Sequence, residues 1–280
     1  MLSYRHAFHA GNHADVLKHV VFVNVLLALQ RKPAPLCCID THAGLGRYAL
    51  DSPEALRLGE FREGIARLWR ASAPPAAIAP YLELVRAAND GPDLRHYPGS
   101  PALAAALRRP TDRLVLIERH PADHARLAQR FGGVRHCRVE AGDGYALLRA
   151  HVPPREKRGV VLIDPSWELR DEARLLLDSV TDAHRRWATG VYLVWYPLLA
   201  RAEADRLLRR FTDTGIRRQL SIELALRAPE VDRGMWGSGV IVINPPFGLE
   251  PAIAEALPWL ARRLGAAADA RQVVDWLVPE

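Results

Sequence analysis

Three short runs, LCCID at 36–40, LVLIE at 114–118 and GVVLID at 159–164, are apolar almost throughout, and each closes on a carboxylate. A strand without polar alternation has both faces buried, as interior strands of a parallel sheet do. Stretches with apolar residues at helical spacing separate the runs, so the chain reads as an α/β fold, a mainly parallel sheet with helices on both faces. In such a sheet ligands bind beyond the carboxyl ends of the strands, which makes the closing residues the first candidates for chemistry.

The rest of the pattern agrees. A helix is predicted over 12–31, capped by Asn12, carrying Val16, Val20, Val23 and Leu27 on one face and stopped by Pro33. Residues 51–110 differ, with helical stretches near 60–71 and 78–89 among Pro74, Pro75 and Pro80, a turn cluster Tyr97-Pro98-Gly99-Ser100-Pro101, and a helix from Pro101 to Arg108. Beyond them strands at 114–118, 134–140, 159–164 and 190–195 alternate with helices at 121–131, 142–150, 171–188 and 201–213. Strands at 217–226 and 238–244 close the series. At 280 residues and 49% hydrophobic content the chain has ample material for a buried core.

Four consecutive strand ends carry polar groups: the turn Asp40-Thr41-His42-Ala43-Gly44-Leu45-Gly46, then Glu118, then Asp143 in Ala141-Gly142-Asp143-Gly144, then Asp164. Gly44, Gly46 and Ala49 satisfy G-x-G-x-x-A, so an NAD-dependent oxidoreductase is one reading, but the acid that would bind its ribose, Glu118, lies far beyond the usual spacing. S-adenosylmethionine needs a carboxylate for the ribose diol, a polar pair for the adenine edge and a glycine turn beside the methionine part. Glu118, Asp143 with Gly144, and Thr41 to Gly46 with Gly44 at its centre supply that set in order.

The fourth strand end adds a motif that hydride transfer has no use for, Asp164-Pro165-Ser166-Trp167. The N6 of adenine delocalises its lone pair into the ring and is a poor nucleophile. A carboxylate, Asp164, and a backbone carbonyl, that of Pro165, can accept its two N–H groups and take the departing proton. Trp167 offers a stacking face, worth about 1–3 kcal/mol per base. A second, closer match to the usual Asp/Asn-Pro-Pro-aromatic pattern, Asn244-Pro245-Pro246-Phe247, follows the last strand and has a neutral side chain that cannot take a proton. It is expected to be a structural turn.

Other features bear on partners. With 38 Lys+Arg against 32 Asp+Glu the formal charge is +6, which suits an anionic partner such as nucleic acid and equally a solvated Arg-rich surface. Near the N-terminus Tyr4, His6, His9, His13, Lys18 and His19 cluster; a zinc pair at His9 and His13, a plain helix face, and a basic aromatic segment beside cofactor or nucleic acid are all open readings. No metal site is expected. Trp195-Tyr196-Pro197 and Trp236, in Arg233-Gly234-Met235-Trp236-Gly237, read as packing. Cys37, Cys38 and Cys137 show neither metal-type spacing nor an even count, which fits a reducing cytoplasm. The polar N-terminus and the short apolar run from Val20 to Leu29, broken by Asn24, predict neither a targeting nor a membrane segment.

Several segments together, MLSYRHAFHAGNHADVLKH at the start, DTHAGLGRY, YPGSP, LIDP, LVWYP, VINPP and the closing VPE, resemble the RlmJ family of bacterial 23S ribosomal RNA adenine-N6 methyltransferases. The resemblance runs from the first residue to the last. It implies a Rossmann-like class I methyltransferase domain of residues 1–50 and 101–280, with residues 51–100 as an inserted helical subdomain. It also implies S-adenosylmethionine contacts at His19, His42, Ser100, Glu118, Asp143 and Gly144, with Asp164 as the catalytic residue. Tyr4 would contact the RNA, with His6 and Lys18 close to the active site. The expected substrate is 23S rRNA, protein-free or in an early assembly intermediate, and the expected state a monomer. Ser166 and Trp167 replace the family's usual Pro-Tyr, which leaves the acceptor pair Asp164 and Pro165 intact but removes a restraint on the backbone of Pro165.

Overall fold

The computed structural model describes residues 4–228 and 234–280; Met1 to Ser3 and Arg233 lie outside the described residues. The chain opens with α1 (His13–Gln30), whose N-cap Asn12 accepts from the Asp15 amide, and runs into β1 (Cys37–Asp40). The next elements are β2 (Arg47–Ala49), α2 (Pro53–Leu58), α3 (Ile65–Trp69), α4 (Ala79–Ala87), β3 (His96–Pro98) and α5 (Ser100–Leu107). Alternation follows: β4 (Arg113–Glu118), α6 (Pro121–Phe131), β5 (Cys137–Ala141), α7 (Gly144–His151), β6 (Gly159–Ile163), α8 (Glu172–Arg186), β7 (Val191–Leu198) and α9 (Arg201–Asp213). The chain closes with β8 (Gln219–Ala225), β9 (Gly237–Ile243), α10 (Leu249–Leu264) and β10 (Gln272–Val278).

One sheet organises the fold, in the order β10-β8-β9-β7-β6-β1-β4-β5. From β7 to β5 all pairings are parallel, while β9, β8 and β10 are joined antiparallel. This is a Rossmann-like, doubly wound arrangement. Side chains alternate between its faces with the period of two that a strand imposes. Cys38 and Leu162 pack with α1, α5 and α10, whereas Ile39 and Ile163 pack with α8 and α9. Helix α1 is long and apolar enough to cross a membrane by length and composition, but 67% of it is buried inside the protein.

Sequence and structure part in three places. The turn cluster at 97–101 holds a strand: Tyr48 pairs with Tyr97 in a two-stranded ribbon of β2 and β3, because both tyrosines bury their rings there. The stretch expected as one helix over 60–71 is a 3-10 turn, Glu60–Arg62, followed by α3, broken where Gly64 lies so close to the backbone of Gly11 and Asn12 that no Cβ fits. Asn244 does not end the fold. Leu249, Ile253, Leu257, Leu260 and Leu264 bury one face of α10, despite Pro258 within it, and β10 then covers the edge of β8.

Strand direction sets the location of any site. The carboxyl ends of β1, β4, β5, β6 and β7 share one edge of the sheet. Because β9 runs the other way, Gly237 pairs with Leu198 at that edge and Ile243 with Tyr192 at the far one.

Candidate active site

At the carboxyl edge lies a cleft of about 440 Å³. Lining it are Tyr4, His6, Lys18 and His19 from the N-terminal segment and α1, His42, Gly44, Ser100, Glu118, Asp143 and Gly144 around the first strand ends, and Asp164, Pro165 and Trp167 after β6, whereas Asp40, Thr41 and Gly46 of the first turn and His13 on α1 do not line it.

Three turns shape one wall. Gly44 adopts φ +61°, and a Cβ there would strike the Tyr48 hydroxyl, so only glycine serves. Its amide donates to Glu118 Oε2 at 2.7 Å, and the His120 amide donates to Oε1 at 2.6 Å. Burial raises the Glu118 carboxyl above its ordinary value against these two donors. Asp143 caps α7, its Oδ1 accepting from the Tyr145 and Ala146 amides, while Oδ2 faces Arg119 at 3.2 Å. Gly144 is packed against the Thr41 carbonyl too tightly for a side chain.

The opposite wall is a buried charge network. Asp15, Lys18 and His19 sit on one face of α1 through their i, i+3, i+4 spacing. Lys18 bridges Asp15 Oδ1, at 2.8 Å, and Asp164 Oδ2. Burial alone would depress the Lys18 ammonium, but the two carboxylates outweigh it and hold its pKa well above the ordinary value. Burial likewise opposes ionisation of Asp15, yet His6 and Lys18 hold it well below the usual carboxylate range. His6 Nε2 lies 2.9 Å from Asp15 Oδ2, and its Nδ1 lies 2.8 Å from the Tyr4 hydroxyl. The Tyr4 ring stacks on His9 and its amide donates to Glu168, which ties the N-terminal segment to the loop after β6. His19 Nδ1 meets the buried Tyr97 hydroxyl at 2.7 Å; burial, then Lys18, lowers its pKa to about 3. Burial lowers His42 to about 4, so both rings are neutral near pH 7.

The family model described as "RsmJ: Ribosomal RNA large subunit methyltransferase D, RlmJ" matches residues 33–278. The chain belongs to the RlmJ family. It is 45% identical over 280 residues to the ribosomal RNA large subunit methyltransferase J of Escherichia coli (strain K12) and 43% identical over 281 residues to that of Haemophilus influenzae (strain ATCC 51907 / DSM 11121 / KW20 / Rd), each match covering 100% of both chains. A crystal structure of protein LPL1258 from Legionella pneumophila str. Philadelphia 1 superposes with a TM-score of 0.89 at 33% identity, covering 96% of this chain and 98% of that one. As an RlmJ-family enzyme the chain is a methyltransferase, with S-adenosylmethionine as methyl donor.

The RlmJ-family cleft also contains residues that the sequence reading passed over. Asp15 carries the network, and its spacing from Lys18 on α1 was the available signal. Trp195 lines the cleft under the Lys18 ammonium, 5.8 Å from its ring centre, which corrects the expectation that it only packs; Pro197 lines the cleft too. Tyr196 points to the other face, where its hydroxyl donates to buried Glu223 at 3.0 Å, and Trp236 is buried in the core. His9 turns to Glu60 at 2.9 Å, and no cluster suited to a metal occurs among the described residues. Buried Glu172 accepts from the Tyr145 hydroxyl at 2.7 Å and from the Leu169 amide, pinning the loop that carries Trp167.

Proposed function

We propose that the protein methylates the exocyclic N6 of one adenine in 23S rRNA, using Asp164 and the Pro165 carbonyl to hold the amino group. The carrying observation is that Asp164 and Pro165 close β6 in the same cleft as the Gly44 turn, Glu118 and Asp143.

The donor set suits the cofactor. Glu118 uses two of its roughly four lone-pair positions on amides, which leaves acceptor capacity for the ribose hydroxyls. Asp143 and Gly144 would meet the adenine edge. Asp40 is buried beside the Ser100 hydroxyl with acceptor capacity left on Oδ2, which an ammonium group such as that of the methionine part would take up. Neutral His19 and His42 add no positive charge against a cationic ligand. When bound, S-adenosylmethionine supplies an electrophilic methyl on a positively charged sulfur.

The chain's own residues do the rest. Lys18 holds Asp164 by Oδ2, which fixes the carboxylate and leaves Oδ1 for an N–H of the target. Asp164 and the Pro165 carbonyl together draw the amino nitrogen toward tetrahedral geometry, and Asp164 receives the proton. Trp167 and Trp195 offer aromatic faces to the base, and the cleft aligns methyl and nitrogen, so that the enzyme contributes mainly proximity. A target base within a helix must first leave its stack. Tyr4 and His6, which line the cleft, would contact the RNA. In this reading residues 51–100 form an inserted unit, and the enzyme works as a cytoplasmic monomer on protein-free RNA or an early assembly intermediate. Incubation with S-adenosylmethionine carrying a labelled methyl and, separately, 23S rRNA, assembled large subunits and duplex DNA tests the proposal: label in the rRNA alone supports it, and label confined to DNA refutes it.

A further inference from the structure

Beside the cleft lies a second concavity of about 590 Å³, and Tyr48 lines both. Its permanent cations are Arg47 on β2 and Arg126 and Arg130 on α6; the half-buried His96 on β3 and the carboxylate of Glu54 line it too, and Asp51 and Asp90 lie close enough to act on His96. None of the three arginines makes an ion pair with a described residue. Arg47 gives one N–H to the Ala88 carbonyl at 3.1 Å, and its Nε is buried without a partner. Burial and the facing Arg47 hold the Arg130 guanidinium below its usual value. Burial, then Arg47, likewise lowers His96.

Arg47 and Arg130 repel each other and neither is ion-paired to a described residue, so an anion between them removes a cost that Glu54 across the wall does not. Guanidinium groups match phosphate with two parallel N–H donors. We propose that this groove binds backbone phosphates of the RNA strand whose target base enters the cleft; the proposal rests on the function proposed above. Continuity with the cleft through Tyr48 favours that strand over an unrelated acidic partner, because the phosphates beside an inserted base have to lie within reach of the cleft mouth.

The test compares wild type, Arg47→Gln/Arg126→Gln/Arg130→Gln, and the same three positions changed to Lys. Binding of a 23S rRNA fragment is titrated across a salt series, methylation is followed against RNA concentration, and calorimetry with S-adenosylmethionine checks the cofactor site. Neutralising one phosphate-binding arginine should reduce the slope of log affinity against log salt by roughly 0.7–0.9, so the Gln variant should lose about 2 in slope and its KM for RNA should rise about tenfold or more. Cofactor affinity and kcat at saturating RNA should hold, and the Lys variant should keep most of the slope. A wild-type slope and KM in the Gln variant would overturn the groove. If the triple variant loses cofactor binding, the exposed single changes Arg126→Gln and Arg130→Gln decide, each expected to reduce the slope by roughly 0.7–0.9. RNA binding with the predicted slope but no methylation by the wild type would reject the function and leave the groove standing.

Discussion

The two edges of the central sheet carry nearly the same four-residue motif in opposite surroundings. At the carboxyl edge Asp164 is ion-paired to Lys18 and Pro165 is buried; Trp167 takes a left-handed φ of +57° and its indole N–H is buried without a partner. At the far edge Asn244 takes φ +55°, donates both amide N–H groups to the Ala188 and Gly190 carbonyls at 2.8 Å, and leaves Phe247 94% exposed. Asn adopts left-handed backbone at little cost, whereas Trp does so only under constraint. The far turn is therefore locally satisfied, and the near one holds a strained residue and an unsatisfied donor, as functional sites do. Strand direction makes this difference: β6 ends at the cleft, and the antiparallel β9 ends away from it.

Substitutions should divide along the same line. The largest effect is expected from Asp164→Asn, which should lower kcat by about 100-fold or more while calorimetry shows cofactor still bound. Asp40, buried at the end of β1, has its carboxyl raised by burial to about 7. A carboxyl whose folded pKa exceeds its unfolded value favours folding most at low pH and loses that contribution as pH rises through the folded value. Asp40→Asn should therefore gain stability over wild type progressively from pH 4 to pH 7, levelling near about 4 kcal/mol, while its cofactor affinity falls. Thermal unfolding over a pH series measures the first and calorimetry the second. Trp167→Ala should weaken RNA binding by about 1–3 kcal/mol in a filter or fluorescence titration. Asn244→Ala should cost about 1–3 kcal/mol in denaturant unfolding and leave methylation of the folded enzyme intact. Phe247→Ala should change unfolding by less than about 0.5 kcal/mol and activity not at all.

The contrast between the edges was legible in part. Apolar runs closing on Asp40, Glu118 and Asp164 revealed the parallel half of the sheet, because such runs have few other folded uses. The choice of Asp164 over Asn244 followed from strand order and the need for a carboxylate, although Asn244-Pro245-Pro246-Phe247 fits the usual pattern better. The antiparallel turn of β9 was not legible, since direction is set by long-range pairing with β7. Nor was the ribbon at Tyr48 and Tyr97, where tertiary burial overrode a Pro- and Gly-rich stretch. The Lys18 bridge between Asp15 and Asp164 joins residues far apart in the chain, and Trp195 became a cleft residue only once its strand had a face.

The central claim is that the carboxylate ending β6 does the chemistry and its look-alike after β9 does not. Transfer of a labelled methyl to 23S rRNA by wild type, Asp164→Asn and Asn244→Ala, with the modified nucleoside identified by mass spectrometry, tests it most directly. N6-methyladenosine at one position is expected from wild type and Asn244→Ala, and almost none from Asp164→Asn. Undiminished methylation by Asp164→Asn, or a methyl on any atom other than an adenine N6, would contradict it.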